Sequence, residues 1–424
     1  MSELSIGSVR LRQHKAARIG EKIARETLFK HLGAIETGSL TLHEGQNSYH
    51  FGTPGAPGEP RAEVHIHSPR VYAQVLVGGS IACGETYIQG QWSSPAPVEL
   101  TRLFSANLHL LERLDARQSR AMRIALWLAH RLSRNTHVGS RKNIAAHYDL
   151  GNEFFQLFLD PSMMYSAALF DDPLASLEAA SEAKLDEICR QLELKPDDHL
   201  LEIGTGWGGL AIHAARHFGC RVTTTTISRE QYAYACAKVA EQNLANQVTV
   251  LCEDYRALSG QYDKLVSIEM IEAVGHEYYT QYFQCCSRLL RPNGKMVIQA
   301  ITIADQRYRQ ARDSVDYIKR YIFPGGCLPC VAVIAEHAAS DTDLQIVHLR
   351  DITRDYAQTL AEWRKRFMAR LKAVKALGFD DQFIRMWEYY LCYCEAGFRE
   401  REIGVSQIVL TKSACRREPV LSTV

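Results

Sequence analysis

Between Ala180 and about Ala304 the sequence alternates between two textures. Five short apolar runs, HLLEIG, RVTTTTI, QVTVLC, YDKLVSIEM and GKMVIQAITI, are separated by helix-forming stretches such as GGLAIHAARHF and REQYAYACAKVAEQN. Strands that alternate with helices join one sheet in parallel, with the helices crossing over its faces. The expected fold is therefore α/β, with a doubly wound, mainly parallel sheet. Ligands of such sheets lie beyond the carboxyl ends of the strands, at the first glycine-rich loop.

That loop is LEIGTGWGG, Leu201 to Gly209. Glycine lacks Cβ, so the chain can turn tightly and a ligand can lie against the backbone of Gly204, Gly206 and Gly208. A helix beginning near Gly208 offers free N–H groups. A dinucleotide would need the spacing G-x-G-x-x-G and an acid about 20 residues on. Here the third glycine comes one residue early, and the second strand ends in TTTTIS without an acid. S-adenosylmethionine, which has no pyrophosphate, fits better. Glu202 can position its amine, Thr226, Ser228 and Gln231 can meet the ribose, Asp254 can accept from the adenine N6, and Tyr255 can pack on the ring. The plain alternative is a glycine turn with no ligand.

Composition narrows the class. The chain has 424 residues, 46% hydrophobic and 23% charged, which describes an ordinary globular protein with room for two or three domains. A net charge of +1 argues against a polyanion as the main partner, so no nucleic acid is expected. No apolar run is long enough for a membrane span, and the first residues lack a secretory signal, so the expected location is cytoplasmic. The twelve cysteines are scattered. Only Cys327 and Cys330 have metal-like spacing, and a lone CxxC without a second pair leaves the expectation at no metal. One stretch departs from the neutral average. Arg113 to Lys142 holds eight cations against Asp115 alone, a local charge of +7. Arg113, Arg117, Arg120 and Arg123 fall near one helical face, while Trp127 and its apolar neighbours supply another. The stretch reads either as a solvated connector helix or as a surface for anionic lipid. The expected domains are residues 1–110, a small α+β unit; 111–142, the basic connector; and 143–424.

The blocks NIAAHYDLGNEFFQLFLDPSMMYS, LEIGTGWGG, SIEMIEAVGHEYYTQYF, KRYIFPGGCLP and CEAGFREREI resemble the cyclopropane-fatty-acyl-phospholipid synthases, which are related to the mycolic acid cyclopropane synthases. The blocks run in family order from about Tyr72 to Thr411, and VGGSIACGETYIQGQW is similar to the N-terminal lipid-handling domain of the long bacterial members. The resemblance implies a Rossmann-like methyltransferase fold. It also implies transfer of a methyl group from S-adenosylmethionine to the cis double bond of a phospholipid acyl chain, at the inner membrane surface, by a protein that can form homodimers.

Alkene methylation leaves a carbocation on the chain, which needs a dry aromatic pocket and then a base. In the family that base is a bound bicarbonate. The resemblance places it between Glu272, Tyr321, residue 299 and the backbones of Ala167 and Ile301. It assigns Tyr165 and Ser166 to the segment closing over the cofactor, adds Trp207 to the cofactor loop, and makes Cys394 a candidate catalytic thiol. The bland alternatives are a helix-terminal carboxylate for Glu272, a core tyrosine for Tyr321 and an inert buried thiol for Cys394. Two departures stand out. Ala167 replaces the family's usual cysteine, and Gln299 replaces its histidine. Glutamine donates and accepts but carries no charge. Methyl transfer is expected to survive, while the proton that leaves is open. Loss from the new methyl closes a cyclopropane, and loss from a neighbouring carbon gives a methyl-branched unsaturated or methylene chain. A lipid-binding protein without catalysis is the remaining alternative.

Overall fold

The computed structural model describes residues 20–116, Asn135 and residues 150–416, which form two compact units. The first unit combines residues 20–116 with 378–400, and the second takes Asn135, 150–377 and 401–416. The expected domain 143–424 is thus interrupted. Its segment 378–400 belongs with the N-terminal unit because helix Asp381–Arg399 carries a broad apolar face. Ile384, Trp387, Tyr390, Leu391 and Cys392 are buried there. The helix packs on helices Pro97–Ala106 and Arg70–Ile88. Polar contacts fix the fit. Tyr87 donates to Glu388 at 2.6 Å, Arg102 to Glu400 at 2.7 Å, and the Thr101 hydroxyl to the Cys392 carbonyl at 3.0 Å.

The first unit also holds a four-stranded sheet in the order β2-β1-β3-β4, with β1 Ser39–Glu44, β2 Asn47–Gly52, β3 Arg61–Ile66 and β4 Trp92–Ser93. Strands β2 and β3 flank the glycine- and proline-rich loop of residues 53–60. Alternation buries Leu40, Leu42, Ala62 and Val64 on one face. Helix Arg70–Ile88 breaks at Gly79, whose φ of 63° is left-handed. The break frees the Ser80 N–H, which donates to Asp115 at 2.8 Å. The one acid of the basic stretch thus mends a kinked helix. Arg117, Arg120, Arg123 and Trp127 lie outside the described residues.

The second unit is built on a seven-stranded sheet of order β10-β11-β9-β8-β5-β6-β7. Its members are β5 His199–Ile203, β6 Arg221–Thr225, β7 Val248–Leu251, β8 Tyr262–Ile268, β9 Leu290–Ile303, β10 Leu344–Asp351 and β11 Ile403–Lys412. Strands β5 to β9 are parallel and coincide with the five apolar runs. β11 then runs antiparallel beside β9, and β10 antiparallel beside β11. After β5 the chain moves outward through β6 and β7, then returns to β8 on the other side of β5. The carboxyl ends of β5 and β8 therefore border the topological switch point, where doubly wound sheets bind ligands.

Candidate active site

The glycine loop leaves β5 at that switch point. Gly204, Gly206 and Gly208 have φ of 103°, 53° and 90°, a region open to glycine and costly for branched residues. The Gly204 and Thr205 N–H groups both donate to the Thr225 carbonyl, at 3.0 and 3.1 Å, tying the loop to the end of β6. A Cβ added at Gly206 would point into open space, whereas one at Gly208 would press on Ala235 at 3.2 Å. Gly206 is thus the place where a ligand can lie against bare backbone, and Gly208 is needed for packing. Glu202 is buried at the base of the loop and accepts from the Thr224 hydroxyl at 2.6 Å. Burial pushes its carboxyl up to about 8. Trp207 is buried against Phe155, with ring centroids 5.0 Å apart, and its indole N–H donates to Asn152 at 2.6 Å.

The residues expected at the ribose have a local task. Ser228 is the N-cap of helix Arg229–Glu241, accepting from the Gln231 N–H at 3.2 Å. The Thr226 hydroxyl donates to the Gln231 side chain at 2.8 Å. The Ser228 N–H donates to the Thr226 hydroxyl at 3.1 Å, so the three side chains are held together at the end of β6. The expected adenine acceptor is engaged differently. Asp254 is held by Arg256, with Nη2 to Oδ2 at 2.6 Å and Nε to Oδ1 at 2.8 Å. Its carboxylate is therefore paired with a guanidinium. Tyr255 packs edge-on to Tyr282 at 5.8 Å, and burial raises its phenol.

At the ends of β8 and β9 lies a carboxylate that the sequence reading missed. Glu269, one residue past β8, has φ of 47°, a strained value for a residue with a side chain, costing on the order of 1 kcal/mol or more. Its Oε1 accepts from the Ala167 N–H at 2.8 Å and from the Gln299 amide at 2.8 Å. Its Oε2 accepts from the Tyr356 hydroxyl at 2.8 Å. Burial raises its pKa, and these three bonds oppose the rise. Gln299 cannot turn away. Gln407 donates to its oxygen at 3.1 Å, and Gln191 donates to Gln407 at 2.9 Å, so the amide nitrogen is directed at Glu269. This is the place where a histidine was expected to matter, and the glutamine there belongs to a buried amide chain.

Glu272 stands on the turn just beyond. Its Oε1 accepts from the Ile301 N–H, while its Oε2 is buried without a hydrogen-bond partner. Burial, and secondly the charge of Glu269, push this carboxyl up to about 8. Three groups expected to cradle bicarbonate are therefore already bonded to the protein's own carboxylates. They are the Ala167 N–H, the Gln299 amide and the Ile301 N–H. Tyr321 lies on the short helix Tyr317–Tyr321, packed on Tyr317 at 5.3 Å and beneath Arg320. It leads into the FPGGC turn, whose Cys327 N–H donates to the Glu272 carbonyl at 2.8 Å. Cys327 and Cys330 are buried thiols pushed up by burial. Cys394 sits on helix Asp381–Arg399 of the first unit, whereas Glu269, Glu272 and Gln299 sit in the second.

Aromatic rings wall the same region. Tyr165 contacts Trp363 at 5.2 Å and Phe155 at 5.3 Å, and Trp363 meets Tyr356 at 6.0 Å. Ser166 is buried and accepts from Lys184 at 3.0 Å. Lys184 is fully buried, and desolvation depresses its ammonium to about 8.

A parallel sheet with a glycine loop at its switch point, a capped polar cluster beyond β6 and buried acids beyond β8 define an S-adenosylmethionine-dependent methyltransferase. Comparisons with known proteins agree. The family model for mycolic acid cyclopropane synthetase matches residues 135–408. Tuberculostearic acid methyltransferase UfaA1 of Mycobacterium tuberculosis is 40% identical over 374 residues, 86% of this chain and 87% of that protein. The cyclopropane-fatty-acyl-phospholipid synthase of Escherichia coli is 36% identical over 361 residues, 84% of this chain and 89% of that one. The crystal structure of mycolic acid cyclopropane synthase CmaA1 with SAH and CTAB superposes with a TM-score of 0.60 at 30% identity, covering 64% of this chain and 98% of that one. This chain belongs to the mycolic acid cyclopropane synthetase family.

Proposed function

We propose that the protein transfers a methyl group from S-adenosylmethionine to the double bond of an unsaturated phospholipid acyl chain, with a cyclopropane as the default product. The observation that carries this reading is the pairing of an open glycine cradle at Gly206 with buried carboxylates and an aromatic wall across the switch point. The glycine loop and Glu202 would hold the methyl donor, whose sulfonium supplies an electrophilic carbon. Tyr165, Trp363, Phe155 and Tyr356 exclude water and face a developing cation with their π electrons. The intact cradle speaks against a lipid-binding protein without catalysis.

A second product class, methyl-branched unsaturated or methylene chains, is favoured by Gln299 and by the similarity to a protein named as a tuberculostearic acid methyltransferase. A neutral amide facing Glu269 changes which proton is within reach of a base. Mass spectrometry of total fatty acids from cells expressing the protein tests both. A gain of one CH₂ per unsaturated chain is expected, and NMR of the purified product separates ring from branch. Unchanged acyl masses would overturn the reading.

Association with the membrane surface and a homodimer accompany this reading as proposals. No helix among the described residues is long and apolar enough to cross a membrane. The +7 stretch from Arg113 to Lys142 supports attachment through anionic headgroups. Binding to anionic vesicles should fall with salt and with loss of Arg113, Arg117, Arg120 and Arg123, and light scattering should give twice the chain mass.

A further inference from the structure

We infer that Glu269 is the proton acceptor of this enzyme, its own carboxylate occupying the place expected for a bound bicarbonate. The inference rests on the methyl-transfer reading above and names the residue that completes it.

Four observations converge on this residue. Its Oε1 takes both the Ala167 N–H and the Gln299 amide, each at 2.8 Å, two of the five groups expected to hold the ion. A third, the Ile301 N–H, is taken by Glu272. The backbone at Glu269 is left-handed, with φ of 47°, where glycine would be unstrained. A strained non-glycine residue beside a ligand crevice is a mark of function. The side chain is buried, yet its three bonds come from a backbone amide, a side-chain amide and a phenol. It therefore remains an acid not neutralised by a bonded cation.

The lone pairs indicate where the proton goes. A carboxylate offers about four acceptor positions. Oε1 uses two of them, and Oε2 uses one on Tyr356, a residue of the aromatic wall. Among the described contacts this leaves one acceptor position, on Oε2 beside the Tyr356 hydroxyl. In the reaction the alkene π pair forms a bond to the donor's methyl carbon as the carbon–sulfur bond breaks, its electrons staying on sulfur. A C–H bond next to the resulting carbocation of the acyl chain then breaks. Its proton passes to Glu269 Oε2, and its electron pair forms either the second ring bond or a new double bond. Atoms and charge balance without an external base. Glu272, its Oε2 unpartnered and its carboxyl raised, carries the complementary proton of the pair. Gln299 is a positioning residue, fixed through Gln407.

The test uses the full-length protein with S-adenosylmethionine and vesicles of an unsaturated phospholipid, in carbonate-depleted and bicarbonate-supplemented buffer. Wild-type turnover should be the same in both. Glu269→Gln should lose about 100-fold or more in turnover, the scale of general base catalysis, with calorimetric affinity for the methyl donor changed less than about threefold. Glu269→Gly relieves the backbone and empties the position. Bicarbonate or formate should then restore part of the turnover. Independently of activity, bicarbonate should raise the unfolding temperature of Glu269→Gly but not of the wild type, because only the variant has a place for it. Bicarbonate stimulation of the wild type, or near-normal turnover of Glu269→Gln, would overturn the assignment while leaving methyl transfer intact. A wild type that methylates no acyl chain would remove both.

Discussion

Glu272 keeps its proton in the folded protein over a range in which an unfolded chain gives it up. Its carboxyl is raised from 4.5 to about 8, and that of Glu202 is raised likewise to about 8. Through these two groups the folded state binds more protons than the unfolded state between these values, so their contribution to stability falls as pH rises through that window. Lys184 acts in a separate, higher window. Its depressed ammonium makes the folded state bind fewer protons from about 8 upward, so its contribution improves with pH there. Thermal unfolding of the substrate-free protein from pH 5 to pH 8 should show this fall as a difference from Glu272→Gln, because the depressed imidazoles of His199, His213 and His276 contribute in the opposite direction. In Glu272→Gln the downward contribution should be smaller, since an amide still accepts from the Ile301 N–H and does not titrate. Equal slopes in the two proteins would mean that Glu272 is not held protonated. A related outcome follows for Gln407→Leu. Releasing the Gln299 oxygen lets its amide turn, so turnover should fall while the affinity for the methyl donor holds, a division that a general folding defect would not give.

At the level of elements, the glycine loop and the cap after β6 make opposite demands. Gly206→Val puts a β-branched side chain at φ 53° and fills the open space beside the loop. Calorimetry should then find no binding of S-adenosylmethionine. Ser228→Ala removes the cap of helix Arg229–Glu241, costing about 1 kcal/mol. Thr226 and Gln231 lose their shared anchor, so affinity should weaken without vanishing. A melting-temperature decrease with unchanged affinity would assign these residues to the cap alone. The parallel strands β5 to β9 were legible in the sequence because strands covered on both faces are continuous apolar runs. The antiparallel strands β10 and β11 were not. LQIVHLRD mixes polar residues into its run and comes after a helical stretch, and nothing local announces antiparallel pairing with a distant partner. Glu269 was hidden for a similar reason. Its partners are separated from it by 30, 87 and 102 residues, and a left-handed backbone at a glutamate has no sequence signature. Glu272, three residues on, was found through its motif, and the EMIE spacing was the available hint of a second acid.

For the molecule as a whole, the boundary between units is the feature that sequence texture concealed. Helix Asp381–Arg399 has the composition of its neighbours in the second unit, yet its buried face of Trp387, Tyr390 and Leu391 is matched by helices made more than two hundred positions earlier. Removing residues 1–116 would leave that face uncovered. A chain shortened in this way should aggregate or bind a hydrophobic dye strongly, even though its methyl-donor residues are all retained. Substituting Trp387, Tyr390 and Leu391 by polar residues in the same shortened chain should recover solubility. If the shortened chain is already soluble and monomeric, the helix does not depend on the first unit.

The same shared helix sets an order of events at the ribosome. Residues 20–116 emerge first, but their missing helix is not made until Arg399 has been added. At roughly 5–20 residues per second, the wait is on the order of half a minute. During it the strands and glycine loop of the other unit are synthesised, and the waiting apolar socket is open to mispairing. Nascent chains halted before residue 378 should therefore be held by chaperones, and chains extended past residue 400 should be released.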